Sequence, residues 1–465
     1  MSTRSGKFFR RSADTASEVP DRLEYVDQAT YLSNTASGRV QIMHALWFYE
    51  EPLDYDGLRK FHENFGHTMA SRRIERSPIP FGRHRWVLPE YAPGPLPIEK
   101  TARPRSDLSD WLEERSQVPI DPENGPSWHM GVQPFTDGST GVSIVVSHCV
   151  IDGVGGVMSA LEAMNGFQRK LPYSAPRSRP LWQAIRSDLR QTVRDLPDVR
   201  KALVSGVRFA RNRRGEAKAT GDGQARAVSQ TGGDQIVAVP FATAVFDAKA
   251  WDARAEELGG NSFSLVAGFA THLGQLMGRV SPTDGSVSLM VVVNDRLSLE
   301  DTRANAMLFT HIDVDATGLT NDLTGMRGNI RTALKTIKET PDESLQLLPL
   351  TPFIPKRAVN GTAGMVFGGL PVTCSNLGDV PLMIGSVDGV GQASVMTCFG
   401  ADQNLRKADL ERGGGMLILA SGRYNDQVII GTVGYQVGAA NTRKGLLALV
   451  EQTASEFGIE PKMTF

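Results

Sequence analysis

Residues 147–156 place one histidine, one aspartate and three glycines directly after an apolar run at residues 142–146. His148 ends the predicted strand, and Asp152 and Gly153 come four and five residues later. Imidazole has an unperturbed pKa near neutrality, so His148 could accept and return a proton at working pH. The glycines lack a Cβ and would let backbone or substrate approach closely. A lone histidine at a strand end is often a buried structural residue, but Asp152 and the glycines favour a catalytic turn.

The elements that must position this motif alternate between strands and helices. Val40–Tyr49 has the pattern of a buried strand and residues 55–69 that of an amphipathic helix, while the motif lies between a strand at 141–148 and a helix at 157–165. Further strands are predicted at 235–240, 243–246, 287–293, 306–314, 372–376, 416–420 and 428–435, and further helices at 249–258, 264–277 and 441–457. This alternation predicts the α/β fold class.

The length of 465 residues exceeds what one compact core usually holds, so two domains are expected. We predict a disordered N-terminus at 1–20 and a first α/β half at 21–175, which carries the motif. A basic crossover and flexible linker follows at 176–235, then a second half at 236–465. The Gly-, Ala- and Ser-rich stretch at 215–233 would be the flexible part of that linker.

The composition excludes several classes of protein. With 40% hydrophobic and 22% charged residues the chain is typical of a soluble globular protein, and a net charge of −1 gives no general attraction to nucleic acid. No apolar run approaches the roughly 20 residues of a membrane span, and the basic N-terminus lacks the apolar stretch of a signal peptide. We expect a cytoplasmic protein that at most touches a membrane from one side.

The cysteines and the other histidines suggest neither disulfides nor metal. Three cysteines are too few for a disulfide framework and lack the spacing of zinc ligands. Cys149 and Cys374 adjoin the candidate catalytic segments, but alternation along a strand points them to the opposite face, which predicts core packing. No bound metal and no nucleic-acid partner are expected.

Several further segments occur in an order that resembles the CoA-dependent acyltransferase superfamily, which includes the condensation domains of peptide synthetases. The likeness is greatest to the bacterial wax ester synthase/diacylglycerol acyltransferase family and to related polyketide-associated acyltransferases. It extends over most of the chain. The residues that carry it are the motif His148–Gly153, the opening Leu23 to Asp27, Met43-His44, the strand 291–296 that ends in Arg296, Asn305, and Ser375-Asn376.

This resemblance implies a fold and a reaction. The fold would be two similar chloramphenicol-acetyltransferase-like α/β domains that form a V, with an active-site tunnel between them. The reaction would move an acyl group from an acyl-CoA or carrier-protein thioester, used as co-substrate, to an alcohol, giving a lipid-type ester such as a wax ester or triacylglycerol. His148 would be the general base for this transfer, a role typically worth about 10²–10⁴-fold in rate.

The resemblance also assigns supporting roles. Asp152 would form a structural ion pair with Arg296 that holds the loop carrying His148, although a solvated turn aspartate is the simpler alternative. Gly153 would give room or a backbone N–H, and Asn305 is expected to support the site.

Ser375 and Asn376 have two interpretations of equal weight. Their side chains could donate hydrogen bonds to the developing oxyanion or position the acyl donor. Alternatively, Asn376 and the glycine two residues later simply form a turn, since both residue types tolerate left-handed dihedrals.

Two departures from the family pattern leave the substrates open. Ser147 stands where many wax ester synthases carry a first histidine, and Ser262 follows Asn261 where an aspartate is usual. A condensation-type enzyme that forms amides from carrier-protein thioesters remains an alternative, as does a non-catalytic acyl- or lipid-binding homologue. Oligomeric state is not indicated.

The segment 186–214 interleaves arginine and lysine with apolar residues. One interpretation is a helix that lies on an anionic membrane or lipid-droplet surface. The other, which we favour from the sequence, is a crossover helix with a solvated basic face.

Overall fold

The computed structural model describes residues 21–90, 96–219, 235–339, 343–354 and 371–465. The predicted disordered N-terminus and most of the predicted linker at 215–233 lie outside these residues. The strands are β1 Val40–Tyr49, β2 Arg73–Glu75, β3 Arg85–Val87, β4 Trp128–Pro134, β5 Thr140–Ser147, β6 Phe241–Asp247, β7 Val287–Asn294, β8 Met307–Val314, β9 Val372–Asp379, β10 Val395–Gln403, β11 Met416–Tyr424, β12 Gln427–Tyr435 and β13 Met463–Thr464.

The α-helices within the described residues are α1 Tyr25–Ser37, α2 Tyr55–Phe65, α3 Leu108–Ser116, α4 Gly153–Met164, α5 Leu181–Ala219, α6 Ala248–Glu257, α7 Ser262–Leu276, α8 Thr324–Glu339, α9 Lys407–Arg412 and α10 Arg443–Glu456. Short 3-10 helices lie at Met69–Ser71, Arg105–Asp107, Glu343–Phe353 and Leu382–Gly385. Because α5 continues to Ala219, the first residues of the predicted linker are helical instead.

Two large sheets organise the chain. The first has the strand order β10-β1-β5-β4 and is antiparallel throughout. The second has the order β13-β6-β12-β11-β9-β7-β8, in which β9 runs parallel to both β11 and β7. The predicted α/β fold with two sheet-based halves is confirmed.

Each sheet has its own hydrophobic core. In the first half every residue of β5 is buried, which explains why its sequence is an unbroken apolar and small-residue run. In the second half ten residues of α7 are buried, and α10 contributes Leu446 and Val450 to the same core.

Strand β10 links the two halves. It follows the second-half strand β9 in sequence, yet it pairs with β1 as the edge of the first sheet, from Val40 opposite Gln403 to Phe48 opposite Val395. The predicted linker at 176–235 therefore separates the two halves along the sequence. In the folded protein, however, the first sheet also includes β10, which lies in the sequence after that linker.

Some local predictions were wrong. The helix predicted at 55–69 ends at Phe65, where Gly66 begins a turn. The strand predicted at 235–240 is reduced to an isolated bridge between Ile236 and Arg406, and Pro240 at its end lacks a backbone N–H. Strands β4 and β10 were not predicted.

Candidate active site

The end of β5 holds His148 through backbone hydrogen bonds. The His148 N–H donates to the Gln41 carbonyl of β1 (2.9 Å), which continues the β1–β5 pairing by one residue. The Val150 N–H then donates to the Ser147 carbonyl (3.1 Å) and closes a turn. The residues on both sides of His148 are buried, whereas His148 itself is half-buried. The strand end therefore presents the imidazole at the edge of the core.

Asn305 fixes the orientation of the imidazole. Its side-chain Oδ1 lies 3.0 Å from His148 Nδ1, and its Nδ2 donates to Asp27 Oδ1 (2.9 Å) and to the His148 carbonyl (3.2 Å). Because both Nδ2 contacts are with acceptors, Oδ1 is the atom turned to the imidazole. Nδ1 must then carry the proton that makes this hydrogen bond, which leaves Nε2 as the unprotonated, basic nitrogen.

Asp27 in turn orients Asn305. It lies fully buried on α1 and accepts hydrogen bonds from the Asn305 backbone N–H (3.0 Å) and from Nδ2. Burial raises the pKa of Asp27 to about 6, and the Asn305 hydrogen bond opposes that rise. At neutral pH the carboxylate is therefore mostly ionised and attracts the amide NH₂ group rather than the amide oxygen.

Asp152 and Arg296 form the buried ion pair that the resemblance implied. Arg296 Nη2 lies 2.7 and 2.8 Å from the two carboxylate oxygens, and both side chains are at most 7% exposed. Asp152 also caps α4 by accepting from the Gly155 N–H (2.7 Å), and it accepts from the Ala306 N–H (2.8 Å). The carboxylate thus ties the motif, α4 and the residue next to Asn305 together.

A second arginine, Arg72, clamps the same turn and was not predicted. It is fully buried and donates from Nε and Nη2 to the Val150 carbonyl (2.9 and 2.7 Å) and from Nη1 to the Thr302 carbonyl. Its guanidinium lies 4.3 Å from the ring centroid of Trp86. Arg72 therefore joins the His148 turn to the loop that carries Asn305.

Gly153 lies at the point where strand β9 approaches the motif. A Cβ on Gly153 would come within 2.7 Å of Leu377 Cδ2, so the end of the Leu377 side chain would have to shift to admit it. Since Leu377 follows Asn376 directly, the predicted Ser375-Asn376 segment adjoins the start of α4.

The structure gives Asn376 the geometry of a turn residue. Its side-chain oxygen accepts from the Gly378 N–H (2.8 Å), and Gly378 has a φ of 71°, in the left-handed region. Asn376 is exposed and Ser375 half-buried. The turn interpretation is therefore supported for Asn376, and the oxyanion role of Ser375 stays a prediction.

Comparison with family models finds no match, and no curated protein matches the sequence. Solved structures do match. The first condensation domain of the CDA synthetase superposes with a TM-score of 0.55 at 14% identity over 96% of this chain and 100% of that one. The wax ester synthase/diacylglycerol acyltransferase from Marinobacter aquaeolei VT8 gives 0.52 at 15% identity, covering 94% and 98%. Trichothecene 15-O-acetyltransferase from Fusarium sporotrichioides gives 0.58 at 12% identity, covering 94% and 95%.

This chain has the CoA-dependent acyltransferase fold. The matched proteins include enzymes that form esters and domains of peptide synthetases, so the fold covers more than one kind of acceptor. At 12–15% identity the likeness establishes the fold, while the substrates must be argued from the site.

Within this fold, Asp402 adds a buried carboxyl group at the level of His148. Asp402 on β10 pairs with Gln41 on β1, and Gln41 accepts the His148 N–H on its other side. With strands about 4.8 Å apart, the Cα atoms of Asp402 and His148 are separated by roughly 10 Å. Asp402 Oδ1 has no hydrogen-bond partner among the described residues, and burial raises its pKa. No sequence pattern indicated this residue.

The predicted core positions of Cys149 and Cys374 are confirmed. Both are fully buried, and burial raises the pKa of each thiol to about 12. Cys149 also accepts a hydrogen bond from Asn34 Nδ2 (3.1 Å). Across the described ranges no group of three or more His, Cys, Asp or Glu side chains is placed to hold a metal ion.

We expect Asn305→Leu to lower kcat about 10- to 150-fold. The replacement removes the acceptor for His148 Nδ1–H, and a hydrogen bond to an imidazolium is worth roughly 1.5–3 kcal/mol. Histidine ¹⁵N NMR should show a mixture of His148 tautomers in this variant and a single Nδ1–H tautomer in the parent. The exposed Asn321→Leu is the matched control. A reduced kcat with an unchanged tautomer signal would contradict the orienting role of Asn305.

Proposed function

We propose that this protein is an O-acyltransferase that moves an acyl group from an acyl-CoA or carrier-protein thioester to an alcohol, with His148 as general base. The observation that carries this proposal is the Asp27–Asn305–His148 chain of hydrogen bonds, which reserves Nε2 of His148 for the substrate. A structural histidine would not need a buried carboxylate and an amide to select its tautomer.

The reaction that this geometry supports takes place in one complex of both substrates. His148 Nε2 accepts the proton of the acceptor hydroxyl as the oxygen attacks the thioester carbonyl carbon. The tetrahedral intermediate then collapses, the C–S bond breaks, and the imidazolium returns the proton to the leaving thiolate. The products are one ester and one free thiol. Holding the two substrates aligned supplies much of the remaining acceleration.

The negatively charged oxygen of the tetrahedral intermediate needs hydrogen-bond donors, and two groups near the motif are candidates. We assign this role to the Ser375 hydroxyl and the Gly153 backbone N–H, because the β9 segment that carries Ser375 adjoins Gly153 through Leu377. One such donor is often worth about 2.7–4 kcal/mol of transition-state stabilisation.

An acyl-enzyme intermediate is disfavoured by the chemistry of the nearest thiol. Cys149 follows His148 directly, but it is fully buried and burial raises its pKa to about 12, so it is neither accessible nor ionised. A thioester is already activated, and direct transfer requires no protein nucleophile.

A condensation-type reaction is the second candidate, because a condensation domain matches 96% of this chain. There the same histidine would serve an amine acceptor and the product would be an amide. The lipid-type acceptor rests on the likeness to the wax ester synthase, whose own name states that activity.

A matrix of donors and acceptors tests the proposal. Acyl-CoAs of increasing chain length and an acylated carrier protein are each incubated with fatty alcohols, a diacylglycerol and primary amines, and products are identified by mass spectrometry. The proposal predicts esters with at least one alcohol. Amides alone would favour the condensation reaction, and binding without turnover for every pair would favour an acyl- or lipid-binding protein.

A further inference from the structure

Helix α5 exposes the side chains that a helix of a soluble domain normally buries. Seven large apolar residues on it are between 40% and 62% exposed, and together we call them the apolar stripe: Trp182, Ile185, Leu189, Val193, Leu196, Leu203 and Val204. Exposed apolar residues are common singly, but a contiguous set of this size marks an interaction surface.

The spacing of these residues places them on one side of the helix. Successive members are separated by three, four, four, three and seven residues, followed by one adjacent residue, so they fall within an arc of about 100°. From Trp182 to Val204 the helix rises about 33 Å at 1.5 Å per residue. The apolar stripe is therefore long and narrow.

The opposite side of α5 is anchored to the rest of the protein by polar contacts. Asp188 is 1% exposed and accepts hydrogen bonds from Ser77 Oγ (2.6 Å), Arg179 Nη1 (3.0 Å) and Arg22 Nη2. Asp195 lies 3.4 Å from Arg83. These bonds fix the rotation of the helix, so the apolar stripe faces outward as a consequence of the fold.

Between residues 181 and 206 of α5, the exposed charges are almost all positive. Arg186, Arg190 and Arg194 follow one another at four-residue intervals and form a basic row beside the apolar stripe. Lys201 extends this row. Asp198, whose carboxylate lies 3.5 Å from Lys201 Nζ, is the one exposed acidic residue in the described segment 181–206. The acidic residues Asp188 and Asp195 are instead turned toward the protein.

We propose that the apolar stripe and the basic row of α5 dock on the surface of an anionic lipid bilayer. An interfacial helix buries its apolar side by about 5–10 Å at the boundary of headgroups and acyl chains, while its arginines contact anionic headgroups. Trp182 at the start of the stripe suits that boundary. The proposal rests on the surface of α5 alone and stands independently of the proposed function.

The positive charges on α5 favour an anionic bilayer over a second copy of this chain as the partner of the apolar stripe. Arg200 lies four residues after Leu196 and three before Leu203, so it falls within the arc of the stripe between these two residues. Two stripes packed on each other would bring their arginines and their basic rows together, and like charges in contact oppose association. An anionic surface would instead attract the same arginines and the basic row.

The proposed contact with the bilayer surface does not require α5 to span the membrane. Among the described residues, none of the helices combines the length and the apolar character needed to cross a bilayer. The proposed contact therefore leaves α5 parallel to the surface.

Vesicle flotation of the full-length protein tests the proposal. Vesicles of phosphatidylcholine alone are compared with vesicles that also contain phosphatidylserine, at low and high salt. We expect binding to the anionic vesicles only, weakened by salt because the charges are screened. A variant with R186Q, R190Q and R194Q should bind about a hundredfold more weakly, and one with L189Q, V193Q and L196Q at least about tenfold more weakly.

Matched controls exclude a general effect of surface substitution. Arg327 and Arg331 are exposed arginines on α8, and Leu382 and Val390 are 52% and 79% exposed. Their glutamine variants should bind like the parent. Thermal melting of every variant should be close to that of the parent, because the replaced side chains are exposed.

Three results would overturn the proposal. The first is an absence of binding to both vesicles. The second is equal binding to neutral and anionic vesicles. The third is a concentration-dependent dimer, seen by analytical ultracentrifugation, that the L189Q, V193Q and L196Q variant abolishes while vesicle binding is absent; this would assign the stripe to self-association.

Discussion

Replacement of His148 by alanine is expected to lower kcat for acyl transfer by about 10²–10⁴-fold, the range that a positioned general base supplies. The loss should appear in kcat more than in KM, because the proton transfer takes place in the transition state and the imidazole contributes little to ground-state binding. The rate is measured as release of free thiol from the donor that the substrate matrix identifies.

The fold should survive this substitution. His148 is half-buried, and the hydrogen bonds that hold its turn come from backbone atoms and from Arg72 rather than from the imidazole. Thermal melting should therefore be near that of the parent. His311 is exposed on β8, and His311→Ala is the matched control with unchanged turnover. A His148→Ala variant with normal kcat would remove the histidine from the chemistry.

Replacement of Asp152 by alanine is expected to lower the free energy of unfolding by about 3–5 kcal/mol, the usual cost of leaving a buried charge without its partner. Arg296 would lose both carboxylate contacts, α4 would lose its cap, and the Ala306 N–H would lose its acceptor. Turnover should also fall, since the same turn carries His148. Urea denaturation of the variant and the parent gives the difference.

The exposed pair of Asp56 and Arg59 is a matched control. Its atoms are 2.7 Å apart, as in the buried pair, but the side chains are 84% and 56% exposed. Asp56→Ala should therefore cost less than about 1 kcal/mol through this pair. Asp152→Asn keeps the cap and removes the charge. If that variant matched the parent in both stability and turnover, the ion pair would not hold the His148 loop.

The features that could be predicted from the sequence are those set by residues close together in the chain, such as the strands and helices around the motif. The boundaries of β1 are those predicted. The helix predicted at 157–165 begins four residues earlier, at Gly153, because Asp152, a residue type favoured at N-caps, precedes it. The partnership of Asp152 with Arg296 was expected only through the resemblance, since 144 residues separate them.

The hydrogen bonds that join His148 to its partners were not predicted from the sequence. Asn305 was expected to support the site only through the resemblance, and Asp27, which lies 278 residues from it in the chain, was noted only as part of the opening segment. Asp402 reaches the level of His148 through β10, a strand that was not predicted and that leaves its own half to complete the first sheet. Such contacts arise from topology, and no local pattern of residue types encodes them.

In the proposed reaction the acyl group passes directly from the thioester to the acceptor, with His148 as general base. The most direct measurement follows thiol and ester together in a single turnover, with enzyme in excess over the acyl thioester, with and without the alcohol, in the parent and in His148→Ala. Direct transfer predicts equal amounts of thiol and ester, formed only when both the alcohol and His148 are present. Thiol release without the alcohol would contradict direct transfer, and ester formation at the parental rate in His148→Ala would contradict the role of His148 as general base.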